Sequence, residues 1–149
     1  MRGIQTMKNK GKGCAIETTN WTTEITQKLK QRYPGWIYKV NEKEHLIYLY
    51  NDVSPQKEIS FIQVDDRNVL IMVKSLLRKK ELTDGGLRVL NHLNCNLYFL
   101  THQIDIEKRI YKCRCIISIN ALQKNFEDVI NYLDGEHQKG RMLLEMECR

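Results

Sequence analysis

Two cysteines in the stretch YKCRC, Cys113 and Cys115, have the spacing that most directly suggests chemistry, because nearby thiols can bind a metal or form a redox pair. A tetrahedral zinc site needs four ligands. The other candidates, Cys95, His92 and His102, do not stand at a recognised paired spacing from these thiols. We therefore predict no metal and no cofactor.

The periodicity of a strand gives the two cysteines a simpler role, because alternate side chains of an extended chain share a face. One face would carry Tyr111, Cys113, Cys115, Ile117 and Ile119, and the other Lys112, Arg114, Ile116 and Ser118. Free cysteine is among the most buried residue types, so both thiols are predicted to pack in the core, across the sheet from the cations that would lower a thiol pKa. A cysteine-nucleophile enzyme stays as a third hypothesis, and it requires a readily alkylated thiol.

Histidines and glycines offer no stronger catalytic motif. The sequence has four histidines, His45, His92, His102 and His137. None of them stands beside a Ser, Cys or Asp in a motif that marks a nucleophile. Each is predicted to be a surface or capping residue. Gly85 and Gly86 lack the Lys-Ser/Thr of a phosphate loop. We therefore predict that the protein is not an enzyme.

Two basic segments, KSLLRKK at 74–80 and KRIYKCR at 108–114, would suit a nucleic-acid partner, because clustered Lys and Arg release counterions from phosphates. The candidate partner-binding residues in these segments are Lys74, Arg78, Lys79, Lys80, Lys112 and Arg114. However, four of the basic residues that give the net charge of +6 lie in the first 13 positions. From Cys14 onward there are 20 basic and 18 acidic residues. Because the chain after residue 13 is nearly neutral, we rank nucleic-acid binding second, below protein binding.

Residues 1–18 are polar, rich in Gly and Lys and without hydrophobic periodicity, so we predict a disordered basic tail before a single domain at 19–149. The five cysteines form an odd, scattered set. The chain shows neither an apolar secretory h-region nor an apolar run long enough to cross a bilayer. We expect reduced thiols, no membrane and a cytoplasmic location.

Hydrophobic periodicity predicts the elements that must position these residues. Trp21, Ile25 and Leu29 recur at helical spacing behind Asn20, a suitable N-cap. Four segments rich in β-branched and aromatic residues then indicate an antiparallel meander: Trp36–Val40, Leu46–Tyr50, Ile59–Val64 and Val69–Lys74. The Asp65-Asp66 pair is assigned to a turn rather than to a metal site.

The second half repeats this alternation of element types. Leu87, Leu90 and Leu93 form the apolar face of a second helix, which Thr83 or Asp84 can cap. Two further strands, Leu97–Ile106 and Arg109–Ile119, predict a second hairpin. A capping box at 120–123 opens a last helix, with an interruption expected at Asp134-Gly135 and an apolar stripe of Leu122, Phe126, Val129, Ile130 and Leu133.

This order, a helix, three or four strands, a helix, a hairpin and a helix, indicates an α+β fold with helices packed on one face of an antiparallel sheet. The run VLNHLNCNLYFLTHQIDIEKRIYKCRCIISIN, Val89–Asn120, resembles the core of the YbjN-like family of bacterial proteins, labelled sensory transduction regulators. In that family a helix ends in a paired-asparagine pattern like that at 90–94. The following strand bears an aromatic residue, here Phe99 or Tyr98.

The resemblance implies a fold similar to that of type III secretion chaperones, small proteins that bind other proteins and often form homodimers. It therefore implies a non-enzymatic protein-binding, chaperone-like or regulatory domain, with no family catalytic residues to carry over. The pI of about 9.1 departs from the acidic character typical of those chaperones. Because Tyr48 and Tyr50 make one side of their strand partly apolar, we also predict a homodimer formed through the second helix or an exposed sheet edge.

Overall fold

The computed structural model describes residues 21–53, 56–95 and 100–147. The helices are α1 (Trp21–Arg32), α2 (Asp84–Cys95), α3 (Ile119–Lys124) and α4 (Phe126–Glu147), with a 3₁₀ helix at Lys79–Glu81. The strands are β1 (Ile37–Asn41), β2 (Leu46–Tyr50), β3 (Lys57–Gln63), β4 (Asn68–Leu76), β5 (Leu100–Asp105) and β6 (Ile110–Ser118). The predicted tail at 1–18, the N-cap at Asn20 and the strand start at 97–99 lie outside the described residues.

The described strands form one six-stranded antiparallel sheet in the order β1-β2-β3-β4-β6-β5. The first four strands are the predicted meander, and β5 and β6 are the predicted hairpin. Because β6 pairs with β4, the hairpin continues the sheet and places β5 at one edge, opposite β1 at the other. The predicted α+β class with an antiparallel sheet is confirmed.

One face of the sheet packs against the helices and forms the core. In β4, Val69, Ile71 and Val73 are buried, and the register places Ile71 opposite Cys115 and Val73 opposite Cys113 of β6. The apolar stripe of α1, also completely buried, consists of Trp21, Ile25 and Leu29. The prediction that both cysteines lie on the core face is confirmed.

Short polar contacts close the turns and caps. Asp65 Oδ1 accepts the backbone N–H groups of Arg67 and Asn68, each at 2.8 Å, so Asp65-Asp66 forms the predicted turn. Thr83 Oγ1 accepts the Gly86 N–H at 3.0 Å, which makes Thr83 the cap of α2.

The apolar face of α2 is narrower than predicted. Leu90 and Leu93 are buried, whereas Leu87 is 39% exposed and therefore lies outside the core contact. Among the described helices, none combines the length and the apolar character that crossing a bilayer requires.

Two predictions near the C-terminus are wrong. The cap of α3 is Ser118 rather than Asn120, because the Ser118 Oγ accepts the Ala121 N–H at 3.1 Å. Helix α4 runs unbroken through Asp134-Gly135, since a single glycine costs a helix interior only about 1 kcal/mol and packing outweighs it. The break lies earlier, at Asn125, between α3 and α4.

Candidate functional site

The sheet face opposite the core carries no helix among the described residues, and we call it the outer sheet face. Its residues alternate with the buried ones and include Lys39, Leu46, Tyr48, Tyr50, Glu58, Ile62, Leu70, Met72, Lys74, Lys112, Arg114 and Ile116, together with Gln103 and Asp105 of β5. Most of these side chains are half-buried by one another, and Ile116 is 50% exposed. The face therefore presents a wide surface with both apolar and charged side chains.

Cations of the outer sheet face lie close together because β4 pairs with β6. Lys74 stands directly opposite Lys112, and Arg114 stands opposite Met72. Lys39 adds a fourth positive charge beside Tyr48. Within the described ranges, none of these four cations has a carboxylate within 4.0 Å.

Glu58 is the acid nearest to these cations in the sheet register, but its carboxylate lies within 4.0 Å of none of them. It stands opposite Lys74 in the register of β3 and β4. Its carboxylate instead accepts the hydroxyl of Tyr48, whose ring lies 5.5 Å from that of Tyr50 between centroids. The four cations outnumber Glu58 and Asp105 on the outer sheet face, which therefore has a net positive charge.

An apolar row crosses the same face beside the cations. The register aligns one residue from each of four neighbouring strands: Leu46, Ile62, Leu70 and Ile116. Apolar side chains arranged in a continuous strip and rimmed by charge are typical of surfaces that bind another protein.

The structure brings together three of the six predicted partner-binding residues, Lys74, Lys112 and Arg114, on the outer sheet face. The other three lie beyond the end of β4: Lys79 and Lys80 are exposed on the 3₁₀ helix, and Arg78 pairs with carboxylates. The Arg78 Nε lies 3.2 Å from Glu81 Oε1. The two basic segments therefore do not form one continuous patch. The sequence analysis did not identify Lys39 or the apolar row as part of the site, because their positions depend on strand pairing.

A buried polar cluster lies on the core side of β5 and β6. His102 was predicted to be a surface or capping residue, but it is a strand residue and 2% exposed. Its Nδ1 lies 2.6 Å from the Tyr111 hydroxyl and 3.3 Å from Cys113 Sγ, and its Nε2 lies 3.6 Å from Glu136 Oε1. Burial lowers the pKa of His102 and raises the pKa of Tyr111. These groups are therefore neutral near pH 7 and connect the hairpin to α4.

His137 is the second histidine for which the prediction of a surface or capping residue is wrong, since it lies inside α4 and is 5% exposed. Its Nε2 lies 3.1 Å from Ser75 Oγ, and its ring stacks on that of Tyr111 with centroids 5.1 Å apart. Burial lowers the pKa of His137 to about 3. A serine beside a histidine suggests an activated nucleophile, but an imidazole with such a low pKa is a weak base at neutral pH.

A cavity of about 700 Å³ lies between α4 and the ends of β3 and β4. Its charged groups are already paired: Lys57 Nζ lies 2.7 Å from Asp134 Oδ1, and Arg32 lies 3.3 Å from the other Asp134 oxygen. The Lys57 hydrogen bond and charge help to hold the pKa of Asp134 below its usual value, although burial opposes this shift. These pairs stabilise the contact between the helices and the sheet.

The two thiols of β6 have pKa values raised by burial, to about 12 for Cys113 and about 11 for Cys115. We expect iodoacetamide to alkylate both at least about a hundredfold more slowly in the folded protein than in urea, because the reactive thiolate is scarce and shielded. Mass spectrometry of the labelled peptides would measure both rates, with the unfolded chain as control. Rapid labelling of either cysteine in the folded protein would restore the cysteine-nucleophile hypothesis.

No family model and no curated protein matches this chain. Membership in the YbjN-like family therefore stays a prediction. Among solved structures, a chain of the "Crystal Structure of the ExsC-ExsE Complex" is similar to it, with a TM-score of 0.63 and 16% sequence identity. The match covers 87% of this chain and 95% of that chain. The similarity confirms the predicted type III secretion chaperone-like fold.

Proposed function

We propose that this chain is a non-enzymatic, chaperone-like or regulatory domain that binds another protein. The observation that carries this proposal is the outer sheet face, where four cations that pair with no carboxylate of the described residues adjoin an apolar row that no described helix covers. A sheet with one solvated face ordinarily presents polar side chains there. An exposed strip of apolar and charged side chains instead favours association with another polypeptide.

The similarity in fold to a protein found in a complex also supports protein binding. The similar chain comes from the crystal structure of the ExsC-ExsE complex. A fold alone does not determine function, so the argument for this chain depends on its own surface. The neutral, hydrogen-bonded state of His102 and His137 and the raised thiol pKa values fit a structural role for the buried polar groups. A cytoplasmic location fits reduced thiols of this kind.

Affinity capture of the tagged full chain from its native host, followed by mass spectrometry, tests the proposal. We expect enrichment of a specific protein partner that survives nuclease treatment. If no protein is enriched while RNA or DNA co-purifies in a salt-sensitive way, the basic segments at 74–80 and 108–114 bind nucleic acid and the proposal is wrong.

We also propose that the domain forms a homodimer through α2 or an exposed sheet edge. Leu87 gives α2 an exposed apolar residue, and the edge strands β1 and β5 each leave backbone groups without a strand partner in the sheet. Light scattering at high micromolar concentration should give twice the 17.7 kDa mass of the chain. Leu87→Glu should shift the dimer toward monomer if α2 forms the interface, whereas Met142→Glu, at a more exposed site on α4, should not. A strictly monomeric wild-type mass would contradict the homodimer.

A further inference from the structure

We infer that the partner presents an amphipathic acidic helix, and that this helix lies across the outer sheet face with its apolar stripe on the apolar row and its carboxylates beside the cations. This inference rests on the proposed function and specifies the chemistry of the partner.

The charge of the face selects an acidic partner. Lys74 and Lys112 stand directly opposite each other, and like charges in that position repel. Arg114 extends the positive region along β6, and none of these cations has a carboxylate partner among the residues that the structure describes. Carboxylates supplied by a partner would relieve the repulsion and form charge-assisted hydrogen bonds.

The apolar row determines the shape of the partner. Its four residues come from four adjacent strands, so the row spans three strand spacings, or about 14 Å. A helix rises about 1.5 Å per residue, so three turns of helix would cover the row. A helix also satisfies its own backbone hydrogen bonds, whereas an extended segment laid flat on a sheet face would not. Helices of this chain already pack on the other face of the sheet.

A second copy of this chain fits the face poorly. A two-fold symmetric interface is self-complementary, so the same patch meets itself. Face-to-face pairing would bring together two positively charged faces, on each of which four cations outnumber the acids Glu58 and Asp105. The homodimer proposed above therefore uses a different surface and leaves the outer sheet face open.

The test uses a fluorescent helical peptide of about 14 residues, with Leu at the i, i+3, i+4 and i+7 positions and Glu on the flanks. Fluorescence anisotropy would measure its binding to the full-length protein. The double variant Lys112→Glu/Arg114→Glu should weaken binding by about tenfold or more, since it replaces attraction by repulsion. The control Lys43→Glu/Lys124→Glu changes net charge equally at exposed residues away from the face, and it should weaken binding less than about twofold.

Two further comparisons separate the apolar and ionic contributions. Ile116→Ser, on the apolar row, should weaken peptide binding by about threefold to tenfold, whereas Met146→Ser, at a similarly exposed site on α4, should leave it unchanged. A peptide with Lys in place of each Glu should not bind. Circular dichroism would establish that each variant is folded.

Several results would overturn the inference. These are the absence of wild-type binding, equal weakening by the face and control variants, equal binding of the Lys peptide, or tighter binding of a single-stranded RNA that requires Lys112 and Arg114. Capture from the native host separates this inference from the proposed function. If the wild type and the Lys112→Glu/Arg114→Glu variant retain the same protein partner equally well, the helix site is wrong and protein binding stands. If the wild type retains no protein, the proposed function is wrong.

Discussion

Replacing Gly140 by alanine is expected to destabilise the domain by about 1–3 kcal/mol, because α4 packs on Tyr111 so closely that a methyl group would collide with the phenol. Tyr111 is completely buried, and its hydroxyl contacts His102 and Cys113, so the ring has little freedom to move aside. The gain in helix propensity from Gly to Ala, at most about 1 kcal/mol, offsets only part of this cost.

Gly135 is the matched control in the same helix. A methyl group there would meet nothing within 4 Å, so Gly135→Ala is expected to stabilise the domain by about 0.5–1 kcal/mol. Urea unfolding followed by circular dichroism would give both free energies. Equal effects at the two positions would show that α4 does not pack on Tyr111 as described.

Acidification from pH 7 to pH 4 is expected to cost the domain about 3 kcal/mol through His137. Burial lowers the pKa of this residue in the folded state to about 3, from 6.5. Between these two values the unfolded chain binds more protons than the folded chain, so stability falls as the pH decreases through that window. Neighbouring charges on Lys57 and Arg141 act in the same direction, while Asp134 opposes them.

The variant His137→Gln tests the origin of this acid sensitivity. Glutamine cannot titrate, and its amide can retain a hydrogen bond to Ser75. The free energy of unfolding, measured in urea at several pH values between 7 and 4, should therefore decrease less steeply for the variant. Part of the dependence should remain, because burial also lowers the pKa of His102. Identical pH profiles for the wild type and the variant would contradict a neutral buried His137.

Local periodicity predicts most of the elements in this chain. The β2 strand, Leu46–Tyr50, has the predicted bounds, and the alternation at Cys113 and Cys115 identified the core face of β6. The burial of His137 was missed, although a helical stripe through Leu133 and Leu144 includes this position. A polar residue on such a stripe is buried when a partner from another element, here Ser75 of β4, satisfies it.

The candidate site was harder to predict because it depends on pairing between distant segments. Lys74 and Lys112 are opposite each other only because β6 pairs with β4 although β5 intervenes in the sequence. The same pairing separates Lys79 and Lys80 from the cluster, since β4 ends at Leu76. Composition and local spacing carry no information about which strands become neighbours.

We propose that the outer sheet face is the partner-binding surface. Lysine acetylation followed by mass spectrometry, on the protein alone and in complex with its captured partner, would show whether the partner covers this face. We predict that the partner protects Lys39, Lys74 and Lys112 and leaves Lys43 and Lys124 equally reactive in both samples. Unchanged reactivity at the first three lysines, with protection elsewhere, would contradict the claim.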